Sequence, residues 1–249
     1  MIKPLRSIGI KALLAAALLL CSPPANAGWE DLLRGAQDVL SGGGKGGLSQ
    51  ARIVQGLKEA LHIGTQKAVD KVSVPGGYLD NPDIKIPLPD TLQKVEGGLR
   101  AIGYGSQVDS FEESMNRAAE RAAPAARDLF VDAVKGMTFD DAQRILKGRD
   151  NEATLYFKDK TWDRLLNAFK PLVHTAMGET GVTRRYQELE AQAVRLPLVD
   201  RLGLDLDQYV SERALDGLFL MLEREEQKIR TDPSARVTEI LKEVFGSRQ

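Results

Sequence analysis

The feature that most constrains the fold of this 249-residue chain is the spacing of its apolar residues. After Gly28 they recur almost everywhere at the i, i+3, i+4 and i+7 positions, which share one face of an α-helix, whereas alternating strand patterns are nearly absent. Glycine and proline residues separate the helical segments. The sequence therefore predicts an all-α fold, an irregular bundle of about eight to ten helices in a single helical domain at residues 49–246.

Prolines mark the places where the helical pattern changes. Pro124 and Pro171 lie inside helical segments, where the ring displaces the carbonyl group four residues earlier, so we expect kinked or broken helices there. Three prolines within YLDNPDIKIPLPD, residues 78–90, exclude a helix and predict one short extended segment. Its apolar residues alternate with others and should place one side on the core: Ile84, Ile86 and Leu88.

Helix starts and a central helix can also be predicted. Ser106 with Asp109, and Thr138 with Asp141, have the spacing of a capping box. Asp205 is expected to cap the last long helix, whose middle is apolar nearly all round. That composition predicts the central helix of the bundle.

The first 27 residues have the order of a cleaved export signal. Basic residues precede an uncharged run from Ala12 to Cys21, and an A-x-A exit ends at Ala27. The uncharged run is about half the roughly 20 residues that a spanning helix needs. We therefore predict a signal peptide at residues 1–27, a periplasmic location and no integral membrane span in the mature chain. The alternative is a lipoprotein anchored through Cys21, although Leu20 is not the small residue expected before a lipidated cysteine.

Export also limits the chemistry that is available to the chain. Cleavage after Ala27 would remove the single cysteine, and with it any disulfide or thiol nucleophile. It would leave 31 Lys and Arg against 35 Asp and Glu, so we predict no nucleic-acid partner. His62 and His174 are far apart, and no zinc, EF-hand or nucleophile-elbow motif occurs. We predict no metal, no cofactor and no catalytic residues of a familiar type.

Residues 28–48 combine a short amphipathic helix with a glycine-rich linker. The helix at 28–40 has more acidic than basic residues on its polar face, which favours docking on protein over docking on anionic lipid. The stretch SGGGKGGL at 41–48 lacks the first glycine and the final Ser or Thr of a phosphate-binding loop. We therefore predict a flexible linker there.

The most suggestive polar cluster lies in ESMNRAAERAAP. Glu113, Asn116 and Glu120 fall on one side of the predicted helix, with Arg117 beside them. One interpretation is a solvated face whose ion pairs contribute about 0.5 kcal/mol each. The other is a binding site, in which a kink at Pro124 opens a groove where Asn116, Arg117 and Glu120 meet an anionic or polar ligand. Asparagine is a mediocre helix former, which favours a polar role for Asn116.

Several segments, in this order, resemble the exported proteobacterial proteins grouped as domain of unknown function 4197. They are KIPLPDTLQKVEGGLRAIGYG, ESMNRAAERAAPAARDLFVDAVKGMTFDDAQRIL, LYFKDKTWDRLLNAFKPLV and GVTRRY. The resemblance covers roughly Leu48 to Phe245. It implies export and a helical domain, and it brings no activity or catalytic residue.

These observations favour an exported, non-enzymatic helical domain that binds an envelope component. That component is either an apolar or amphiphilic small molecule or a protein partner. The alternative is a cell-envelope enzyme that uses the carboxylates of Glu113 and Glu120, which would require a cleft and a shifted pKa. A third hypothesis is a purely structural or assembly role, with the helix at 28–40 as a docking element.

Overall fold

The computed structural model describes residues 50–195, 204–236 and 238–246. The predicted signal peptide (1–27), short helix (28–40) and linker (41–48) lie outside the described residues. The helices in chain order are α1 (Gln50–Val72), α2 (Asp90–Ala101), α3 (Gly105–Ala122), α4 (Ala126–Lys135), α5 (Phe139–Lys147), α6 (Glu152–Thr180), α7 (Val182–Ala193), α8 (Leu206–Thr231) and α9 (Glu239–Gly246).

The all-α prediction is confirmed, because the described part of the chain contains helices and no strand. With α3 and α4 counted as one helix kinked at Pro124, and the short α9 left out, seven helices remain in these residues. The predicted count of eight to ten was therefore slightly high. None of the helices in the described ranges combines the length and the apolar character needed to cross a bilayer.

Helix α8 is the centre of the bundle, as its apolar middle predicts. It packs against α1, α3 and α6, and its residues Ala214, Leu215 and Leu218 are fully buried. At the junction of α4, α6 and α8, the ring of Phe130 meets the rings of Phe157 and Phe219 edge-on, with centroids 5.4 and 5.9 Å apart. Such pairs contribute about 0.5–1.5 kcal/mol each beyond the burial of their area.

The two internal prolines behave differently. Pro124 lies in a short 3₁₀ turn, Ala123–Ala125, which separates α3 from α4 and so confirms the expected interruption. Helix α6, in contrast, continues through Pro171, and the break considered there does not occur. Pro171 and Asn167, whose carbonyl group loses its helical partner, are both exposed, so water can satisfy that carbonyl.

Two of the predicted helix caps are confirmed. The amide of Asp141 donates to Thr138 Oγ1 at 3.1 Å, and the amide of Thr138 donates to Asp141 Oδ2 at 3.1 Å, which is a complete capping box at the start of α5. Asp205 accepts a hydrogen bond from the amide of Gln208 at 2.9 Å and caps α8. These caps depend only on neighbours in sequence, so the sequence alone identifies them.

The capping box predicted for Ser106 and Asp109 is wrong. Helix α3 begins at Gly105, so Ser106 lies inside the first turn instead of preceding it. Arg100 at the end of α2 donates to Asp109 at 2.6 Å and engages its carboxylate. A tertiary ion pair has replaced the local cap.

The segment between α1 and α2, here called the strap (residues 76–89), lies along α8. The predicted extended path holds only from Lys85 to Pro89, because most of residues 76–84 form turns closed by backbone hydrogen bonds, such as that from the Asp80 amide to the Gly76 carbonyl at 3.0 Å. Its residues Ile84, Ile86 and Leu88 are at most 5 % exposed, which confirms the predicted alternation. In the middle of the strap, Asp83 pairs with Arg224 at 2.8 Å. Near its end the Tyr209 hydroxyl donates to the Pro87 carbonyl at 3.0 Å, so residues 83–87 of the strap run antiparallel to α8.

Gly217 of α8 is the point of closest approach between the strap and the helix. A Cβ atom at this position would lie 2.9 Å from Tyr78 Cε1 and 3.0 Å from Ile84 Cβ. We expect Gly217→Ala to lower the free energy of unfolding by about 1–3 kcal/mol, because the added methyl group overpacks the contact. Urea denaturation measures this change.

Gly97→Ala is the matched control. Gly97 is exposed in α2, and no atom would lie within 4 Å of the added Cβ. This substitution should raise the free energy of unfolding by about 0.5–1 kcal/mol through helix propensity. A Gly217→Ala protein as stable as the wild type would contradict the close packing of strap and helix.

Candidate functional site

Asn116 is fully buried in the middle of α3 and holds the strap from its inner side. The amide of Ile86 donates to Asn116 Oδ1 at 2.8 Å, and Asn116 Nδ2 donates to the Ile86 carbonyl at 2.9 Å. A second Nδ2 hydrogen bond, to the Glu112 carbonyl at 2.9 Å, fixes the side chain on its own helix. The carboxamide therefore pairs with Ile86 as a neighbouring strand would, and it satisfies both backbone groups of that residue.

Glu120, one turn further along α3, holds the start of the strap. The side chain is buried, and Oε1 accepts hydrogen bonds from the amides of Gly76, Tyr78 and Leu79 at 3.0, 3.2 and 3.3 Å. Oε2 accepts from Arg117 Nη1 at 3.0 Å, and this hydrogen bond raises the pKa of Arg117. Both oxygens are therefore committed to donors of the chain itself.

Tyr78 joins the same region to α8. Its ring is fully buried, and its hydroxyl donates to the Ala214 carbonyl at 2.7 Å. Burial, and then the nearby charge of Glu120, raise the pKa of Tyr78 well above the ordinary value. The hydroxyl therefore stays protonated and acts as a permanent donor.

The four residues predicted as a site are only partly brought together. Asn116 and Glu120 lie beneath the strap, and Arg117 borders them, whereas the Glu113 side chain is 56 % exposed and pairs with Arg117 at 3.6 Å. The interpretation as a solvated face therefore holds for Glu113 and fails for Asn116 and Glu120. The strap covers these two residues, and helical periodicity alone could not reveal that cover.

On the outer side of the strap, a groove of about 190 Å³ separates it from α8. This strap groove is lined by residues 83–87 of the strap and by Arg213, Asp216, Gly217 and Leu220 of α8. Among its apolar lining residues, Pro87 is exposed and Leu220 is half-buried, whereas Ile84 and Ile86 are buried. The sequence analysis did not identify this groove. The proline-rich segment, which cannot join a helix, was the feature that could have indicated a groove beside a long helix.

The charges of the strap groove are distributed unevenly. Three of them are in ion pairs: Asp83 with Arg224 at 2.8 Å, Lys85 with Glu112 at 2.7 Å and Asp216 with Lys158 at 3.5 Å. No ion pair of the described residues involves Arg213, whose guanidinium carbon lies 5.6 Å from the ring centre of Tyr209. The groove therefore combines an apolar surface with one cation that forms no ion pair with a carboxylate of the described residues.

A second polar cluster, which the sequence analysis missed, lies on α8. The Glu226 carboxylate accepts hydrogen bonds from the amides of Ala153 and Thr154 at 2.9 and 2.8 Å, and so caps the start of α6. Arg230 donates through Nε and Nη2 to Glu226 and through Nη2 to the Ile145 carbonyl near the end of α5. The Glu226 carboxylate thus lies at the N-terminus of α6, and the Arg230 guanidinium lies near the C-terminus of α5. The helix dipole favours each charge at that end. The i, i+4 spacing of Glu226 and Arg230 within an apolar helix is the sequence feature that could have indicated a buried ion pair.

Metal ligation finds no support in the described ranges. No group of three or more His, Cys, Asp or Glu side chains there is arranged to hold a metal ion. His62 lies on α1, and His174 on α6 pairs with Asp207 through Nδ1 at 2.9 Å. The polar clusters of this domain bind its own backbone, and the strap groove is its candidate surface for a ligand.

Comparison with known proteins places the chain in a family. A family model described as a protein of unknown function, DUF4197, matches residues 47–246. No curated protein and no solved structure matches the chain.

The role of Glu120 can be tested against that of Glu113 on the same helix. We expect Glu120→Gln to lower the free energy of unfolding by about 1–3 kcal/mol, because an amide oxygen replaces a buried carboxylate that accepts three backbone hydrogen bonds. Glu113→Gln should change it by no more than about 0.5 kcal/mol. Urea denaturation gives both values, and equal losses in the two variants would argue against the anchoring role.

Proposed function

The chain belongs to the DUF4197 family of proteins of unknown function, and we propose that it is an exported, non-enzymatic helical domain that binds an amphiphilic small molecule of the cell envelope in the strap groove. The single observation that carries this proposal is the groove itself. An irregular segment is fixed on a rigid bundle by buried polar side chains, and its outer side remains open to a ligand. Segments positioned in this way commonly carry binding functions.

The lining of the groove supports an amphiphile in particular. Pro87 and Leu220 offer an apolar surface to a hydrocarbon part. Arg213 offers a guanidinium group to an anionic head, and the ring of Tyr209 orients it. Because residues 83–87 run antiparallel to α8, the head would lie towards Pro87 and the hydrocarbon part towards Leu220.

Export is part of the proposal and rests on the sequence of residues 1–27. A basic start, a short apolar core and an A-x-A exit are typical of a cleaved signal. An amphiphile of the envelope is the ligand class that such a protein would meet. Acylation through Cys21 would place the same domain at a membrane surface and would leave the ligand class unchanged.

The enzyme hypothesis receives less support from the geometry. Glu113 is exposed, and both oxygens of Glu120 already accept hydrogen bonds from backbone amides or from Arg117, so the two acids share no open cleft. A general acid or base needs access to its substrate. A protein partner is one of the outcomes of the experiment below.

We expect protein purified gently from the periplasm to carry a small-molecule adduct in native mass spectrometry. In a calorimetric titration below its micelle concentration, dodecanoate should bind saturably. Arg213→Ala should weaken this binding at least fivefold, because a charge-assisted hydrogen bond is lost.

Arg184→Ala is the matched control, since Arg184 is an exposed cation on α7 and lies outside the groove lining. Its affinity for dodecanoate should equal that of the wild type. A bare-chain mass together with no saturable binding would count against the proposal. Crosslinking of Lys85 to another protein in the periplasm would favour a protein partner instead.

A further inference from the structure

A small cavity next to Arg230 lies between α1 and α8 and is separate from the strap groove. It has a volume of about 20 Å³, and we call it the arginine cavity. Its lining residues are Leu57, Ala60, Leu61 and Gly64 of α1, Ala153 of α6, and Leu222, Glu226, Ile229 and Arg230 of α8. Apart from Glu226 and Arg230, these side chains carry no polar atom.

Arg230, which lines this cavity, carries a hydrogen-bond donor without a partner. Its side chain is 7 % exposed, and Nε and Nη2 are bonded to Glu226 and to the Ile145 carbonyl. Nη1 is buried and has no hydrogen-bond partner. A buried N–H group without a partner is costly, so a ligand that supplies an acceptor gains affinity there.

The charge of the cavity excludes an anionic ligand. Arg230 and Glu226 form an ion pair at 2.8 Å, and the surrounding walls are apolar. A carboxylate or phosphate would add an uncompensated negative charge beside Glu226 in a poorly solvated space. The charge balance therefore favours a neutral molecule.

The hydrogen-bond capacity of the cavity selects further among neutral molecules. The Glu226 oxygens already accept five hydrogen bonds: from the amides of Ala153 and Thr154, from Thr154 Oγ1, and from Nε and Nη2 of Arg230. A carboxylate has about four lone-pair positions, so no acceptor remains for a ligand hydroxyl. The cavity thus offers a donor and no side-chain acceptor.

We propose that the arginine cavity binds the carbonyl oxygen of a neutral ketone or ester, with Nη1 of Arg230 as the donor. A carbonyl group accepts hydrogen bonds and donates none, so it matches the cavity where water or an alcohol would leave its own hydrogens unpaired. The volume exceeds what one water needs, and it admits the carbonyl end of a molecule rather than a whole lipid. The apolar side chains of Leu61, Leu222 and Ile229 would contact the adjoining carbon atoms.

Three probes of nearly the same size test this chemistry on the full chain: acetone, 2-propanol and acetate. Titrations are followed by the methyl NMR signals of Leu61, Leu222 and Ile229 and by the guanidinium N–H signal of Arg230. We expect saturable shifts with acetone, at an affinity at least tenfold higher than for the other two probes. Bound 2-propanol would leave its hydroxyl hydrogen unpaired, and bound acetate would bring an unpaired negative charge. Stronger binding of acetate, equal binding of 2-propanol or no saturable shift would each overturn the proposal.

A variant that fills the cavity keeps the test independent of Arg230. The methyl group of Gly64→Ala would lie 3.7 Å from Ile229 Cδ1 and 4.0 Å from Glu225 Cβ, so it fits without displacing a neighbour. We expect this variant to fold and to lose the saturable acetone shifts. Gly97→Ala in α2 should keep them, and both changes should leave dodecanoate binding in the strap groove unaltered. Unchanged acetone binding in the Gly64→Ala protein would overturn the assignment to this cavity.

Discussion

The need to satisfy the backbone of the strap is the constraint on which the described architecture depends. A connecting segment outside the helices leaves N–H and C=O groups that must find partners when they are buried. Asn116 supplies both partners for Ile86, and Glu120 supplies an acceptor for three amides at the start of the strap. Tyr78 can then enter the core and reach α8. The packing of α1, α3 and α8 around the strap follows from these polar contacts as much as from apolar burial.

The same solution occurs a second time, at the turn between α5 and α6. There Glu226 and Arg230 of α8 satisfy the amides that begin α6 and a carbonyl near the end of α5. The described residues contain no cysteine, so no disulfide secures either connection. Buried polar side chains on α3 and α8 hold the connections in place. Removing one partner of such a pair leaves a buried charge or dipole, and the loss of stability therefore exceeds the net contribution of the pair.

The features that could be predicted from the sequence are those that depend on residues close together along the chain. The apolar spacing identified the helices, the Thr138 and Asp141 pair identified a cap, and the alternation around Ile86 identified the buried side of the strap. The sequence could not predict the Asp109 contact, because Arg100 competes for that carboxylate across a turn. Asn116 was suspected from its poor helix propensity, yet its partner lies 30 residues away, and propensity says nothing about partners. Glu226 and Arg230 passed unnoticed because an i, i+4 ion pair is ordinary on a helix surface.

The polar residues of this domain therefore fall into two groups. In one group the polar atoms already bind the chain's own backbone and anchor it, and in the other a polar group is still available for a ligand. Asn116 and Glu120 have committed their polar atoms to the strap, so they contribute to a ligand site only by holding the strap in position. Arg213 and Nη1 of Arg230 are different, because no ion pair of the described residues involves Arg213 and Nη1 of Arg230 has no hydrogen-bond partner there. Arg213 is exposed beside apolar surface and suits an anionic head group. Arg230 is buried beside its own counter-ion and suits a neutral acceptor, since its charge is already balanced.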